Sequence, residues 1–438
     1  MKNLQNSLYF KLGAITLITL LLLIPAAMVQ DLVRERQNTE SEAIREVSSN
    51  WGEEQTLSGP FISVPYDKLV KRNNENNGGF SWVKIKDYIH ILPEIINVTG
   101  NVEPEIRSRG IHEVAVYTSD FSITGSFQAF NFNELDIPRS DIHFDKAKLV
   151  MGISDLRGID NSIELLWNKK TLEFKPGPES QNVVSNGINA SILMQPDSMV
   201  AHNFEIKLSL KGSQGVHFAP LGKTTVVDLN SPWKDPSFSG SFLPDSREVS
   251  DAGFVSHWSV LHLNRNFPQF WTGSKYSIHG SSFGVKLLKP VDNYRKVMRC
   301  MKYAILFIAF TFITFFFIEI LRKKAIHPLQ YILVGIALII FFSLLLAITE
   351  HLSFNAGYLI SSVATILLIA GYIKAILKSG VLVGLITGIL SLLYGFIFVV
   401  MQIQDYALLI GSIGIFVVLA VLMYCSRKVD WYHLNSKD

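Results

Sequence analysis

The chain has 438 residues, 48% of them hydrophobic and only 18% charged, with a formal net charge of +3. Soluble domains carry about 25% charged residues, so part of this chain is built for an apolar solvent. So small a net charge argues against a nucleic-acid partner. The two cysteines, Cys300 and Cys425, leave everything from Met1 to Arg299 free of thiols, which excludes a disulfide framework there.

A helix needs about 20 apolar residues to cross the hydrocarbon core of a bilayer. The first such run is 12–29 (LGAITLITLLLLIPAAMV), after a short terminus, 1–11, holding Lys2 and Lys11. It is longer than a signal-peptide core, and Pro25–Ala26–Ala27 is a poor cleavage site, so it reads as an uncleaved anchor. Residues 30–57 are polar, with Ile44, Val47 and Trp51 at helical spacing, and read as a helical stalk. A break is expected at Ser58–Gly59–Pro60.

From 58 to 302 the apolar period becomes two. Runs such as Phe61–Val64, Tyr88–Leu92, Val114–Tyr117, Phe121–Phe127, Phe204–Leu210 and Phe254–Leu263 recur between turn signals. The Asn-rich stretch from Asn73 to Gly79 reads as a hairpin tip. Many short antiparallel strands predict one large sandwich or two stacked ones.

Five more spans follow, at 303–321, 329–348, 354–373, 381–401 and 407–424, ahead of a tail at 425–438. Arg322, Lys323, Lys324, Lys374, Lys378, Arg427 and Lys428 fall in alternate connections, whereas the other two short loops hold Glu350 with His351, and Asp405. The positive-inside rule then places both termini in the cytoplasm and residues 30–302 outside. Arg295, Lys296, Arg299 and Lys302 break the pattern, as a long translocated domain tolerates. On this topology Cys300 and Cys425 lie at opposite membrane faces. The fold class is an α-helical membrane protein with six transmembrane helices and a large all-β, sandwich-like extracytoplasmic domain.

Candidate chemistry is thin. Gly280–Ser281–Ser282–Phe283–Gly284 matches the G-x-S-x-G nucleophile elbow by letter, but Val285–Lys286–Leu287–Leu288 alternates like a strand where a helix is needed. The later histidines, His327, His351 and His433, do not supply the acid-then-histidine order of that family. Ser231–Pro232–Trp233–Lys234 matches S-x-x-K without companion motifs. Histidines 90, 112, 143, 202, 217, 257, 262 and 279 show no metal-ligand spacing, with His257 and His262 on opposite sides of a strand. No Gly-rich loop opens a helix after a strand, so no nucleotide partner is expected. Glu319 is expected to pair with Arg322 and Lys323 at the membrane interface. Gly380, Gly384 and Gly388 share a helix face and are expected to let a neighbouring helix approach closely, or less readily to line a lipid or peptide groove. No catalytic residue, cofactor or metal is assigned.

Several stretches together resemble the bacterial CreD family of inner-membrane, cell-envelope-integrity proteins. They include Trp51–Pro60 with Val64–Pro65–Tyr66, Arg109–Gly110–Ile111, Gly152–Gly158, Leu210–Ser213 and Pro220–Leu221–Gly222. Trp233 through Pro244, Phe283–Gly284–Val285, Pro290–Val291–Asp292, Ile326–Tyr331, Glu350–His351 and Lys428–Trp431 continue the likeness in order. The resemblance implies membership of a two-component regulon and a role in envelope integrity, and brings no catalytic residue, ligand or transport substrate with it. The functional expectation is a non-enzymatic envelope protein whose partners are membrane lipids and an envelope protein or lipid bound by the β domain. Alternatives are a transporter or lipid-handling protein using the C-terminal five helices, and an envelope hydrolase, which would need Ser282 beside a histidine and a carboxylate.

Overall fold

The computed structural model describes residues 8–73, 80–194, 201–278, 280–287, 293–322, 326–403 and 406–427. The chain divides into two compact units, one of residues 42–290 and one of 1–41 with 291–438. The expected hairpin tip at 74–79 lies outside the described residues, as do His279, Pro290–Asp292, Lys323, Lys324, Asp405, Lys428–Trp431 and His433.

The first helix, α1 (Leu8–Trp51), runs unbroken from the apolar segment through the polar one, with Pro25 inside it. The second unit then holds seventeen described strands: β1 (Gln55–Asn73), β2 (Phe80–Ile91), β3 (Ile95–Arg109), β4 (His112–Phe127), β5 (Lys148–Ile153), β6 (Glu164–Trp167), β7 (Lys170–Leu172), β8 (Lys175–Pro176), β9 (Gly187–Ser191), β10 (His202–Ser213), β11 (Gly215–Ala219), β12 (Thr224–Ser231), β13 (Pro236–Gly240), β14 (Ser246–Ser250), β15 (Gly253–Leu261), β16 (Phe270–Thr272) and β17 (Phe283–Leu287). The structural break therefore falls at Gly52–Glu54, ahead of the expected one. Ser58–Gly59–Pro60 instead sits inside β1, where the ladder to β5 shifts register between Ser58 and Phe61. An irregularity of that kind tolerates a residue with no N–H to donate.

One sheet runs β13-β17-β11-β1-β5-β9-β8, with β2 on β1 and β16 on β2. The other runs β14-β15-β12-β3-β4-β10-β6-β7. Two pairings are parallel, β1 with β11 and β3 with β12, in place of the wholly antiparallel arrangement expected. Several strands are also long, β1 reaching 19 residues and β4 16. The hairpin β3–β4 closes through Gly110 at φ +61°, a left-handed conformation that glycine adopts without strain.

The two sheets share one core. Phe121 of β4 meets Phe218 of β11 edge-on at 5.7 Å, and Trp258 of β15 meets Phe283 of β17 at 5.7 Å. His90 is fully buried at the edge of this core, with Nδ1 3.3 Å from Ser63 Oγ and its ring against Phe61 and Trp271.

The other unit contains α1 up to Ser41 together with α2 (Asn293–Met301), α3 (Ala304–Arg322), α4 (Pro328–Thr349), α5 (Phe354–Leu377), α6 (Gly380–Gln402) and α7 (Ala407–Ser426). Residues 293–301, expected within the β-rich region, are helical and belong to this unit. Six spans are expected from the sequence. Four described helices, α1, α4, α5 and α6, are long and apolar enough to cross a membrane, and a fifth crossing arises if α2 and α3, bent by 42°, count as one. The apolar part of α7, Leu409–Val421, is shorter.

Burial holds the His90 imidazole down at about 4 from its ordinary 6.5, against the pull of Asp87. The folded state thus refuses a proton that the unfolded chain accepts, and stability is lost as pH falls from 6.5 towards 4, by up to about 3 kcal/mol. Urea unfolding followed by near-UV circular dichroism across that window will show this loss, and His90→Leu will flatten the slope by that amount.

Candidate functional site

Where α1 ends, its last turn is closed by Gly52 N donating to Ser48 O at 2.8 Å. Gly52 has φ +150°, and a side chain there would press on the carbonyl of Lys211. Three of the stretches that carry the family resemblance, at 51–66, 152–158 and 210–213, meet at this point. Gln55 is fully buried between them. Its Nε2 donates to the carbonyls of Asp155 (3.0 Å) and Lys211 (3.1 Å), and its Oε1 accepts from Ser154 Oγ (3.1 Å) and Asp155 N (3.3 Å). A buried amide costs about 2–7 kcal/mol without partners, so these four bonds fix how the three segments pack.

Asp155 caps the short 3₁₀ turn Leu156–Gly158 by accepting from Arg157 N, and also accepts from Glu53 N at 3.0 Å. Arg157 grips the same carboxylate through Nε (2.9 Å) and Nη2 (3.0 Å), and its Nη1 donates to Ser49 O at 2.8 Å. Burial is the largest influence on the Asp155 carboxyl and raises it, yet the hydrogen bonds from Arg157 and Glu53 together hold it below the usual range. A guanidinium on an end-of-helix carbonyl also complements the negative end of the helix dipole. On the other side, Trp51 Nε1 donates to Tyr117 O (3.1 Å) beneath the Arg107 guanidinium, 3.8 Å from the indole. Ser213 Oγ donates to Ser48 Oγ at 2.8 Å, and Arg109 pairs with Glu46 at 2.6 Å. The last two turns of α1 are thereby joined to β3, β4 and β10 of the second sheet and, through Arg157, to the turn after β5.

Next to this junction, on the outer face of the first sheet, His217 of β11 lies between two groups. Its Nε2 is 3.1 Å from Ser239 Oγ and its Nδ1 is 3.3 Å from Glu54 Oε1. Lys286 reaches the same Glu54 oxygen at 3.5 Å. Ser239 and His217 both register against Gly284 of the strand between them, and glycine leaves the gap they bridge. Burial lowers the His217 pKa, Lys286 lowers it further, and Glu54 opposes both. Beyond Thr56, which registers with His217, a cleft of about 260 Å³ is lined by Ser58, Ser154, Ser185, Asn186 and Ser282.

The G-x-S-x-G match is no elbow: Gly280 lies in a turn at φ +89°, and strand β17 follows Ser282. Ser231 Oγ accepts from Trp233 N, a turn contact. His143 faces Asp67, His202 faces Asn168 and His257 faces Asp228, each alone, and among the described residues no three metal-ligating side chains gather.

In the helical unit two polar groups stand out. Glu319, buried near the end of α3, accepts from Lys11 Nζ (2.6 Å), Tyr331 OH (3.3 Å) and Ile326 N (3.3 Å). Its described salt bridge is thus to the start of α1; the expected pairing with Arg322 and Lys323 falls on side chains outside the described residues. At the far end of α4, Glu350 lies 3.6 Å from Arg36 of α1 and accepts from Tyr294 OH, while Asn293 Nδ2 donates to Thr349 O at 2.7 Å. A methyl added at Gly380, Gly384 or Gly388 meets nothing within 4 Å among the described residues. Close approach occurs instead at Gly335, against Leu22 and Phe312, and at Gly357, against Thr349.

The family model for inner membrane protein CreD matches residues 7–432. The chain belongs to the CreD family of inner membrane proteins. It is 32% identical over 434 residues to inner membrane protein CreD of Escherichia coli (strain K12), covering 98% of this chain and 95% of that one. Among solved structures, an M1 zinc metallopeptidase from Deinococcus radiodurans aligns with 39% of this chain and 38% of its own at 7% identity and a TM-score of 0.19, too slight a likeness to carry an argument. In this CreD-family chain the residues that sequence reasoning left unassigned are Gln55, Asp155, Arg157, His217 and Ser239. For the first three the signal was present in the resemblance segments, which they occupy.

Gln55→Leu will strand the Asp155 and Lys211 carbonyls and the Asp155 amide, at about 1–3 kcal/mol for each group left unpaired. Denaturant midpoints of the purified full chain will fall accordingly. Lys11→Met will cost about 3–5 kcal/mol by leaving Glu319 buried without its cation, and the double variant Lys11→Met with Glu319→Leu will be less impaired than either single change.

Proposed function

We propose that this chain is a non-enzymatic inner-membrane protein that contributes to envelope integrity or the envelope stress response, binding an envelope partner or lipid through its extracytoplasmic β domain. The observation that carries the reading is the junction. Its polar groups are paired with one another, which suits a joint that holds a binding domain to its anchor helix. The cleft beside it offers hydroxyls, an amide and backbone to a ligand.

The membrane arrangement belongs to the same proposal: six crossings, both termini in the cytoplasm and the β domain outside. The bias of Lys and Arg across the connections supports it. So do the two polar groups of the bundle. Lys11 starts α1, Glu319 ends α3 and Tyr331 starts α4, so the three termini share a level. Lys11 and Arg36 are about 38 Å apart along α1 at 1.5 Å per residue, enough to bracket an apolar layer of about 30 Å.

A second reading, hydrolysis, is favoured by one observation. Ser239, His217 and Glu54 stand in the order nucleophile, base and orienting carboxylate, with the serine at 239 in place of the expected Ser282. Labelling of the full chain by a fluorophosphonate, lost in Ser239→Ala, would favour that reading; the first reading expects no labelling. Alkaline phosphatase inserted at the β domain will be active and a C-terminal phosphatase fusion silent; the reverse result would sink the topology. Photo-crosslinkers placed around the junction and cleft in cells are expected to capture a partner molecule, and capture of nothing above background would remove the binding reading.

A further inference from the structure

Past Asp67 the antiparallel pair β1–β2 leaves the sheet. Residues 67–73 and 80–86 pair only with each other, so a two-stranded ribbon of about 20 Å continues without a third strand. Isolated ribbons of this kind are marginal in water and gain from a surface to rest on. The register puts Leu69, Lys71, Phe80, Trp82 and Lys84 on one face. Three of these are large apolar side chains left open, Leu69 at 53%, Phe80 at 55% and Trp82 at 61% exposure. Scattered exposed apolar residues need no explanation, but an aromatic pair and a leucine on one face of a projecting ribbon form a patch.

The charges around that patch are arranged by distance from the sheet. Near the base, Lys68 pairs with Asp87, Lys84 with Asp141 and Asp67, and Lys86 with Glu179. Towards the far end, Lys71 and Arg72 have no carboxylate within 4 Å among the described residues. Lys71 Nζ lies 3.8 Å from the centroid of the Phe80 ring. Among the described residues, the ribbon cations with no carboxylate partner are therefore Lys71, on the face of the exposed aromatics, and Arg72, next to it on the opposite face.

We infer that this ribbon is a membrane-surface probe, which seats Trp82, Phe80 and Leu69 at the interface of an anionic phospholipid layer while Lys71 and Arg72 contact headgroup phosphates. Tryptophan is enriched at the headgroup level, apolar insertion supplies the attraction, and each basic residue near an anionic surface adds about fivefold in partitioning. A protein groove would suit the aromatics equally, but it gives no reason for two cations with no carboxylate partner among the described residues to sit at the same end of the ribbon. The inference rests on the proposed binding role of the β domain and names one surface and one ligand class for it.

The test uses the full chain in phosphatidylcholine nanodiscs, with an environment-sensitive dye attached through a clickable residue at position 73, which registers with Phe80 on the aromatic face. Moving the chain to nanodiscs containing phosphatidylglycerol, or adding phosphatidylglycerol vesicles, is expected to shift the dye emission to the blue. Trp82→Ala with Phe80→Ala will weaken the response at least tenfold in either format. Lys71→Gln with Arg72→Gln will reduce the phosphatidylglycerol response about 25-fold, towards the phosphatidylcholine level. Unchanged near-UV circular dichroism will show that both variants keep the fold. A dye that stays in water in both formats overturns the inference, as does a photo-crosslinker at position 82 that captures a protein in preference to lipid. If crosslinkers at the junction or cleft still capture a partner while position 73 is silent, the ribbon inference fails and the proposed function stands. Silence at every position removes both.

Discussion

A single side-chain amide, that of Gln55, sets the conditions for everything around it. Sealed from water, it has to find two acceptors and two donors, and it finds them on two other stretches of chain. One is the turn after β5 and the other is the end of β10, a strand of the opposite sheet. The two sheets and the last turn of α1 can pack together only where those groups line up. Asp155 and Arg157 then extend the same network to the helix itself. Gly52 and Gly158 are needed because the Lys211 carbonyl stands where a side chain would go.

The helical unit is organised by a similar rule in a different solvent. Its apolar helices have little reason to prefer one neighbour over another, since lipid and leucine are alike to them. The buried Glu319 supplies a preference, because in a dry setting it must be reached by Lys11 and Tyr331. Small residues then matter where a neighbour is present: Gly335 admits Leu22 of α1, whereas the more regular stripe on α6 meets none among the described residues.

What could be read from the sequence was whatever depends on neighbours along the chain. Hydropathy located the apolar helices, and the change of period marked the β region. What could not be read depends on distant partners. Nothing local to Glu319 announces Lys11, which lies 308 residues away. The parallel pairing of β1 with β11 leaves no local signature either. Pro60 suggested an end to structure, although the register shift in β1 accommodates it. The spacing of Gly380, Gly384 and Gly388 correctly put them on one face but could not say what that face meets. His217 and Ser239 carry no motif because they meet only across an intervening strand, through the space left by Gly284.

The position of β1 at the heart of its sheet has a consequence for biogenesis. β1 is the first strand to be synthesised, yet its parallel neighbour β11 begins at Gly215, and β17, which flanks β11, ends at Leu287. Pairings this distant in sequence carry a large loop-closure cost and form late. The opening stretch of β1, Gln55–Ser58, must therefore wait, unpaired along one edge, until β11 has been made. The apolar run from Phe61 to Val64 waits less long, for β2 and β5, and is a liability for aggregation until they pair with it. The antiparallel ribbon with β2, whose partner strand arrives within a few residues, is the one early structure that can shield part of it.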